Sequence, residues 1–228
     1  MNSPQKIALI MNQNCYSGRE YLSHLKDIDI DVISIGKYPE FDKDEEKRCG
    51  NYWKPETEEA LSQHFEFFNF ESLKSNELEE FLLSKNYDIG IQGGTGILRP
   101  NIINLFKKGL LNFHPGDLPK YRGCSAPEWQ LFDKKEIICS AHIIDTGIDS
   151  GAILAKKVLN IRLESYEYFR ASIYPEVSKF VREIILSLLK SDILILNAIS
   201  QDEDIAIYRD YIGYDRIQEL KEILKLGS

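Results

Sequence analysis

The sequence has no closely spaced cysteines, no excess of basic residues and no long apolar run, and each absence removes a class of function. Cys15, Cys49, Cys124 and Cys139 are scattered and form no CxxC pair, so neither a disulfide framework nor a zinc site is written into the chain. They read as reduced thiols of a cytoplasmic protein. With 28 basic against 36 acidic residues the net charge is −8, which argues against broad nucleic-acid binding but leaves room for an anionic small molecule held by a few local Lys and Arg. The most apolar stretch, IILSLLKSDILIL, is broken by Lys190 and Asp192, so no membrane-spanning segment is expected. The apolar run in MNSPQKIALIMNQN is too short for a secretory signal. A dinucleotide fingerprint is missing as well, because Gly94 and Gly96 in GGTGILRP lead to Arg99 rather than to a third glycine. Cys124 and Ser125 sit in no nucleophile elbow such as GxSxG.

What is present is an ordinary globular composition, 43% hydrophobic and 28% charged over 228 residues, enough for one large α/β domain. Lys6–Met11 and Ile30–Ile35 read as strands flanking a helix that runs through Leu25, with Ser17 and Glu20 as its capping box. This β-α-β opening predicts a mostly parallel sheet flanked by helices. Residues 36–57 read as a charged surface loop or lid, whose Tyr38, Tyr52 and Trp53 either face a ligand or pack down. Phe65–Phe70 reads as an edge strand, Asn76 with Glu79 as the start of a helix, and Asp88–Gln92 as another strand. Pro100 suits the start of a helix that Gly109 would end. Further on, Pro127–Phe132 reads as a helix, and Glu136–Ile144 with Ala152–Ile161 as a hairpin. Val177, Phe180, Val181, Ile184, Ile185 and Leu188 mark an amphipathic helix with Pro175 near its start. The tail after Asp192 is expected to hold a strand pair and a last helix over 214–224.

The stretch LLNFHPGDLPKYRG, from Leu110, organises the chain. Successive strand side chains alternate faces, so Asn112 and His114 share one face while Phe113 takes the other. A carboxamide and an imidazole at a strand end, ahead of a loop, is how open α/β sheets build sites. Downstream, HIIDTGIDSGAIL places Asp149 seven residues after His142 in a glycine-rich turn. If Asn112, His114 and Asp149 converge, acyl transfer is a natural reading. Amide and imidazolium N–H groups can donate to a developing oxyanion. A neighbouring carboxylate can keep the histidine charged and accept the proton of an attacking amine. The plainer readings are that Asn112 and His114 satisfy loop backbone groups, and that Asp145 and Asp149 simply form a turn.

Together, NFHPGDLPKYRG and HIIDTGIDSGAIL resemble the signature of the folate-dependent formyltransferase family, which includes glycinamide ribonucleotide, methionyl-tRNA and sugar N-formyltransferases. The resemblance extends more weakly back to the first strand and covers roughly residues 6–190. It implies a Rossmann-like formyltransferase domain over 1–190 with a short C-terminal extension over 191–228. It further implies that Asn112 and His114 stabilise the formyl oxyanion of the co-substrate 10-formyltetrahydrofolate, and that Asp149 organises the histidine and the proton transfer, with no metal. Gly96, Ile97 and Leu98 would line the folate pocket, and Asp145, Thr146, Gly147 and Ile148 would close over the pterin. Gly116 and Asp117 depart from the family pattern, which has a small hydroxyl residue after His-Pro. The N-terminal NQNCYSG lacks the phosphate loop of glycinamide ribonucleotide enzymes. The roughly 38 residues after Lys190 are too few for the C-terminal barrel of methionyl-tRNA enzymes. YRGCSAPEW and the later Gln201…Tyr208-Arg209 resemble sugar N-formyltransferases. The implied acceptor is therefore the amine of a dTDP- or GDP-linked amino sugar, as in lipopolysaccharide O-antigen assembly, with Lys120 and Arg122 at the pyrophosphate. No nucleic-acid or membrane partner is implied, and the tail leaves room for a homodimer contact. The alternatives are a glycinamide ribonucleotide-type transferase, a 10-formyltetrahydrofolate hydrolase and a non-catalytic folate-binding homologue.

Overall fold

Four strands of apolar sequence pair in parallel to form the frame that carries the rest. A computed structural model describes residues 5–37 and 45–226. By chain contacts it divides into two compact units: residues before 44 with Lys54–Asn112, and Asp44–Trp53 with everything from Phe113 onward.

In the first unit, β1 (Ile7–Gln13), β2 (Asp31–Lys37), β3 (Glu66–Phe70) and β4 (Ile89–Gln92) are parallel. Ala8, Leu9, Ile10 and Met11 are wholly buried, the continuous burial expected of a parallel strand covered on both faces. Strand β5 (Leu110–His114) pairs in parallel with β4. The strand order of the seven-stranded sheet is β3-β2-β1-β4-β5-β7-β8, where β7 is Ile138–Ile143 and β8 is Ile153–Val158. The expected edge strand is found as β3.

Helix starts differ from the sequence reading in instructive ways. Helix α1 (Tyr16–Ser23) is preceded by Cys15 with no side-chain cap. The Ser17 hydroxyl instead donates to the Gly93 carbonyl at 3.1 Å, so the expected Ser17–Glu20 capping box does not form. A residue in the loop of a neighbouring strand outcompetes the local backbone. Residues 45–49 form a helical turn, α2, and Glu58–Leu61 a short helix, α3. Helix α4 (Asn76–Lys85) is capped by Ser75, whose hydroxyl accepts from Leu78 N–H at 3.3 Å, one residue before the expected Asn76. Pro100 opens α5 as expected, but the helix ends at Ile103 and not at Gly109.

In the second unit, β6 (Arg122–Gly123) pairs in parallel with β9 (Tyr208–Arg209), and β7 pairs antiparallel with β8. Helix α6 spans Ala126–Phe132 and α7 spans Tyr166–Lys190. Pro175 was expected near the start of α7 but lies inside it. An interior proline costs about 3 kcal/mol, and each large buried apolar side chain returns about 1.5–3 kcal/mol. Phe169 and Ile173 are buried before it, and Val177, Phe180, Val181, Ile184, Ile185 and Leu188 after it, so packing on both sides carries the helix through. The tail holds α8 (Ile193–Leu196) and α9 (Tyr214–Leu226). Its expected strand pair is absent among the described residues. Instead β9 pairs with β6, and Ile199 bridges Ile153 of β8.

Of the expected 36–57 loop, Tyr38 lies outside the described residues. Its second half is not a free lid. Tyr52 packs edge-on against Tyr168, and Trp53 stacks on Tyr174 with centroids 4.2 Å apart. Beneath them Glu45, Arg48, Glu128 and Arg170 form a buried ion-pair cluster. Arg170 pairs with Glu45 and, at 3.4 Å, with Glu128; Arg48 pairs with both acids. Tyr166 adds a hydrogen bond to Glu128 at 3.1 Å. No helix among the described residues is long and apolar enough to cross a membrane.

Removing one partner of such a cluster leaves a buried charge uncompensated. Arg170→Met is therefore expected to destabilise the protein by about 3–5 kcal/mol in urea unfolding; a loss under about 1 kcal/mol would show that the cluster is solvated in solution.

Candidate active site

Strand β5 delivers the site. Leu110, Leu111 and Phe113 are buried, which fixes the strand's register. It sets Asn112, half-buried, and His114, buried, two residues apart on the opposite face from Phe113.

The loop after His114 folds back over it. The imidazole Nε2 lies 2.6 Å from the Tyr121 carbonyl. A carbonyl can only accept, so Nε2 carries the proton and donates. Gly116 explains the departure from the family pattern: a Cβ there would lie 2.5 Å from His114 Nε2 and 2.6 Å from the Tyr121 carbonyl oxygen. No side chain fits between them. Two buried polar residues pin the loop. Ser140 donates to the Gly116 carbonyl at 2.7 Å and accepts from Leu118 N–H at 3.2 Å. Gln130 donates to the Pro115 carbonyl at 3.0 Å and accepts from Asp117 N–H at 3.2 Å. The Asp117 carboxylate takes an ion pair from Lys156 at 2.6 Å.

Asp149 arrives from the turn after β7. One carboxylate oxygen lies 3.4 Å from His114 Nδ1 and accepts the Gly123 N–H at 3.0 Å; the other lies 3.6 Å from His142 Nε2. Both ring nitrogens of His114 thus face protein acceptors. Burial pushes the His114 pKa below its ordinary 6.5, outweighing the opposite pull of Asp149 and of the Tyr121 carbonyl. The expectation that Asp149 keeps this imidazole charged is therefore reversed, because desolvation is the larger effect. Burial works to raise Asp149 too, yet His142, His114 and the Gly123 N–H together hold it down at about 2. The pair sets a carboxylate with a depressed pKa beside an imidazole that burial makes harder to protonate.

Other expected residues fall into place separately. Gly96 and Ile97 line a cavity of about 430 Å³ in the first unit, together with Asn12, Ser72, Lys74 and Arg99. Ile97 is 84% exposed, whereas Leu98 is buried. Asp145, Thr146, Gly147 and Ile148 form an exposed turn in the second unit, closed by the Asp145 carboxylate accepting from Gly147 N–H at 3.0 Å and from the Ser150 hydroxyl at 2.6 Å. Lys120 is exposed. Arg122 is buried and committed to Gln201 and Glu203. Two residues absent from the expected site emerge, His142 and Gln201. His142 was legible as the first residue of the second motif; Gln201 was singled out only within the late Gln201…Tyr208-Arg209 resemblance, with no role attached. No group of three or more His, Cys, Asp or Glu among the described residues is arranged to hold a metal.

A buried imidazole beside a half-buried carboxylate at a strand end, with a carboxamide on the imidazole's strand face, is an arrangement for moving an acyl group and a proton. Comparison with known proteins bears on which group. The profile of the family described as Formyl transferase matches residues 5–181. The chain belongs to the formyl transferase family. The chain is 27% identical over 190 residues to the methionyl-tRNA formyltransferase of Microcystis aeruginosa, a match covering 81% of this chain and 56% of that protein. The chain thus spans little more than half the length of that relative. Among solved structures it is similar to a 4-N formyltransferase from Francisella tularensis, with TM-score 0.61 and 17% identity over 95% of this chain and 86% of that one. It is also similar to the N-formyltransferase from Helicobacter canadensis in complex with folinic acid and dTDP-3-aminofucose, with TM-score 0.60 and 19% identity over 90% and 71% of the two chains. At these identities the structures establish the shared fold: a mostly parallel seven-stranded sheet with flanking helices.

The His114 environment sets a pH dependence. Unfolded, His114 titrates near 6.5. As pH falls through that value the unfolded chain takes up a proton that the folded protein resists, so stability drops. Asp149, depressed on folding, adds a further loss as pH falls from 3.8 toward about 2. His114→Gln is expected to flatten the stability profile just below pH 6.5; identical slopes for wild type and variant across that window would contradict the assignment. Gly116→Ser, which restores the hydroxyl residue of the family pattern, is expected to cost about 1–3 kcal/mol in thermal unfolding through overpacking against His114.

Proposed function

We propose that this formyltransferase moves the formyl group of 10-formyltetrahydrofolate to the amine of a dTDP- or GDP-linked amino sugar. The observation that carries the chemistry is the convergence of Asp149 on His114, from a turn 35 residues further along the chain. The amine attacks the formyl carbon and the carbonyl oxygen becomes an oxyanion. The Asn112 carboxamide donates to that oxyanion, since both His114 nitrogens are engaged by protein acceptors. The ammonium formed on attack gives up a proton, directly or through water, to the His114–Asp149 pair. There the proton completes an imidazolium with an acceptor on each nitrogen. The C–N10 bond then breaks, N10 takes the proton, and the products are the N-formyl sugar and tetrahydrofolate.

The cavity beside Gly96 and Ile97 supports the donor. Lys74 and Arg99 line it with the single acid Glu71, so an anionic tail carried by the folate meets a lining with an excess of one cation. The turn over Asp145–Ile148 offers exposed backbone groups for the pterin. For the acceptor, support comes from YRGCSAPEW and from neighbours such as the Helicobacter canadensis enzyme, solved with an amino-sugar nucleotide. The acidic net charge disfavours a tRNA acceptor. We assign the pyrophosphate contact to exposed Lys120, since Arg122 is occupied by Gln201 and Glu203.

The test is release of tetrahydrofolate from 10-formyltetrahydrofolate with and without a panel of amino-sugar nucleotides. Release that requires the amine, with formylated sugar as product, is expected. Release without any amine would identify a hydrolase instead. Asn112→Ala and Asp149→Asn should each lower turnover by about 10²–10³-fold while the fold is retained; near-normal rates in either would remove that residue from the reaction.

A further inference from the structure

Asp149 sits in the left-handed backbone region, with φ 50°, a conformation that non-glycine residues adopt uncommonly and keep where the surroundings enforce it. What enforces it comes from the tail. The Gln201 side-chain amide donates from Nε2 to the Asp149 carbonyl and to the Gly151 carbonyl, each at 2.8 Å. Its Oε1 accepts from Arg122 Nε at 3.1 Å and from Nη2 at 2.9 Å. Arg122 in turn forks onto the Glu203 carboxylate at 2.8 and 2.6 Å. The orientation of the amide is fixed by chemistry: two carbonyls only accept and a guanidinium only donates, so a flipped Gln201 would lose all four bonds. A cation on Oε1 also polarises the amide and strengthens both N–H donors.

The same tail segment controls the carboxylate end of Asp149. Strand β9 holds β6 through Arg122 N–H to the Ile207 carbonyl at 3.0 Å and Cys124 N–H to the Arg209 carbonyl at 2.8 Å. The amide between them, Gly123 N–H, therefore points the other way, and it donates to Asp149. Gly123 itself has φ 90°, and a Cβ there would lie 2.4 Å from the Arg209 carbonyl oxygen, so only glycine lets the two strands approach this closely.

We propose that Gln201 is a positioning residue for Asp149. Clamped by Arg122, it fixes the backbone of the turn so that the carboxylate meets His114 and the Gly123 N–H. Its catalytic consequence rests on the reading of Asp149 as the group that manages the proton in formyl transfer. Arg122 thereby acquires a role in building the site rather than in holding substrate phosphate.

Gln201→Glu discriminates sharply. It keeps the length of the side chain and the pairing with Arg122, but it replaces the two donors with acceptors facing carbonyls. Gln201→Met, which loses both sets of bonds without repulsion, carries the test should the first variant not fold. In amide NMR, the Gly123 proton, held downfield by the Asp149 carboxylate, is expected to move upfield and lose exchange protection in the variant while the thermal midpoint is kept. In kinetics, turnover should fall about 10–100-fold through misplacement of the proton acceptor, with KM for 10-formyltetrahydrofolate within about twofold of wild type. A Gly123 signal and turnover both unchanged would overturn the proposal. If Asp149→Asn proves fully active, the reading of Asp149 in the reaction fails, and the Gly123 signal alone then decides whether Gln201 positions it.

Discussion

A single carboxylate, Asp149, is the constraint on which the site depends. It satisfies the Gly123 N–H, faces His114 and lies within ion-pair reach of His142, so residues of β5, β6 and β7 are registered on one anion. Its charge is kept by these partners against the cost of burial. The same burial pushes the His114 pKa below its ordinary value. Desolvation thus acts on both members of the pair, and for the imidazole it is the larger effect.

Around this anion, polar side chains act as struts that an apolar core could not provide. Gln130 and Ser140 are fully buried and exist in the structure to satisfy the backbone of the loop after His114. The cluster of Glu45, Arg48, Glu128 and Arg170 ties α2 to α6 and α7. Such clusters contribute little net stability relative to apolar packing, but they tolerate only one arrangement, since each charge left unpaired is costly. That selectivity suits elements that must sit in register beneath a loop.

The strands and the two motifs were legible because their signals are local. Runs such as IALIM and IDVISI, and the alternation that puts Asn112 and His114 on one face, depend only on neighbours in sequence. The errors share one cause, a tertiary contact that overrode a local preference. Ser17 abandoned a capping role for the Gly93 carbonyl. Pro175 was carried through α7 by packing on both sides. For Tyr52 and Trp53, where facing a ligand and packing down were both open, aromatic partners on α7 show the packed arrangement. Gly116, a departure in sequence, became a steric requirement once the Tyr121 carbonyl closed over His114.

By itself the sequence determined the family and the parallel sheet, and it named Asn112, His114 and Asp149 as candidates, since these follow from residue types at short fixed spacings. Only the tertiary structure decided the direction in which the His114 pKa moves, because desolvation depends on what covers the ring. It alone decided the engagement of Arg122 with the tail and the part played by Gln201, which lies 52 residues beyond the aspartate whose carbonyl it holds. Hydrogen-bond direction and burial are properties of space, and no spacing along the chain encodes them.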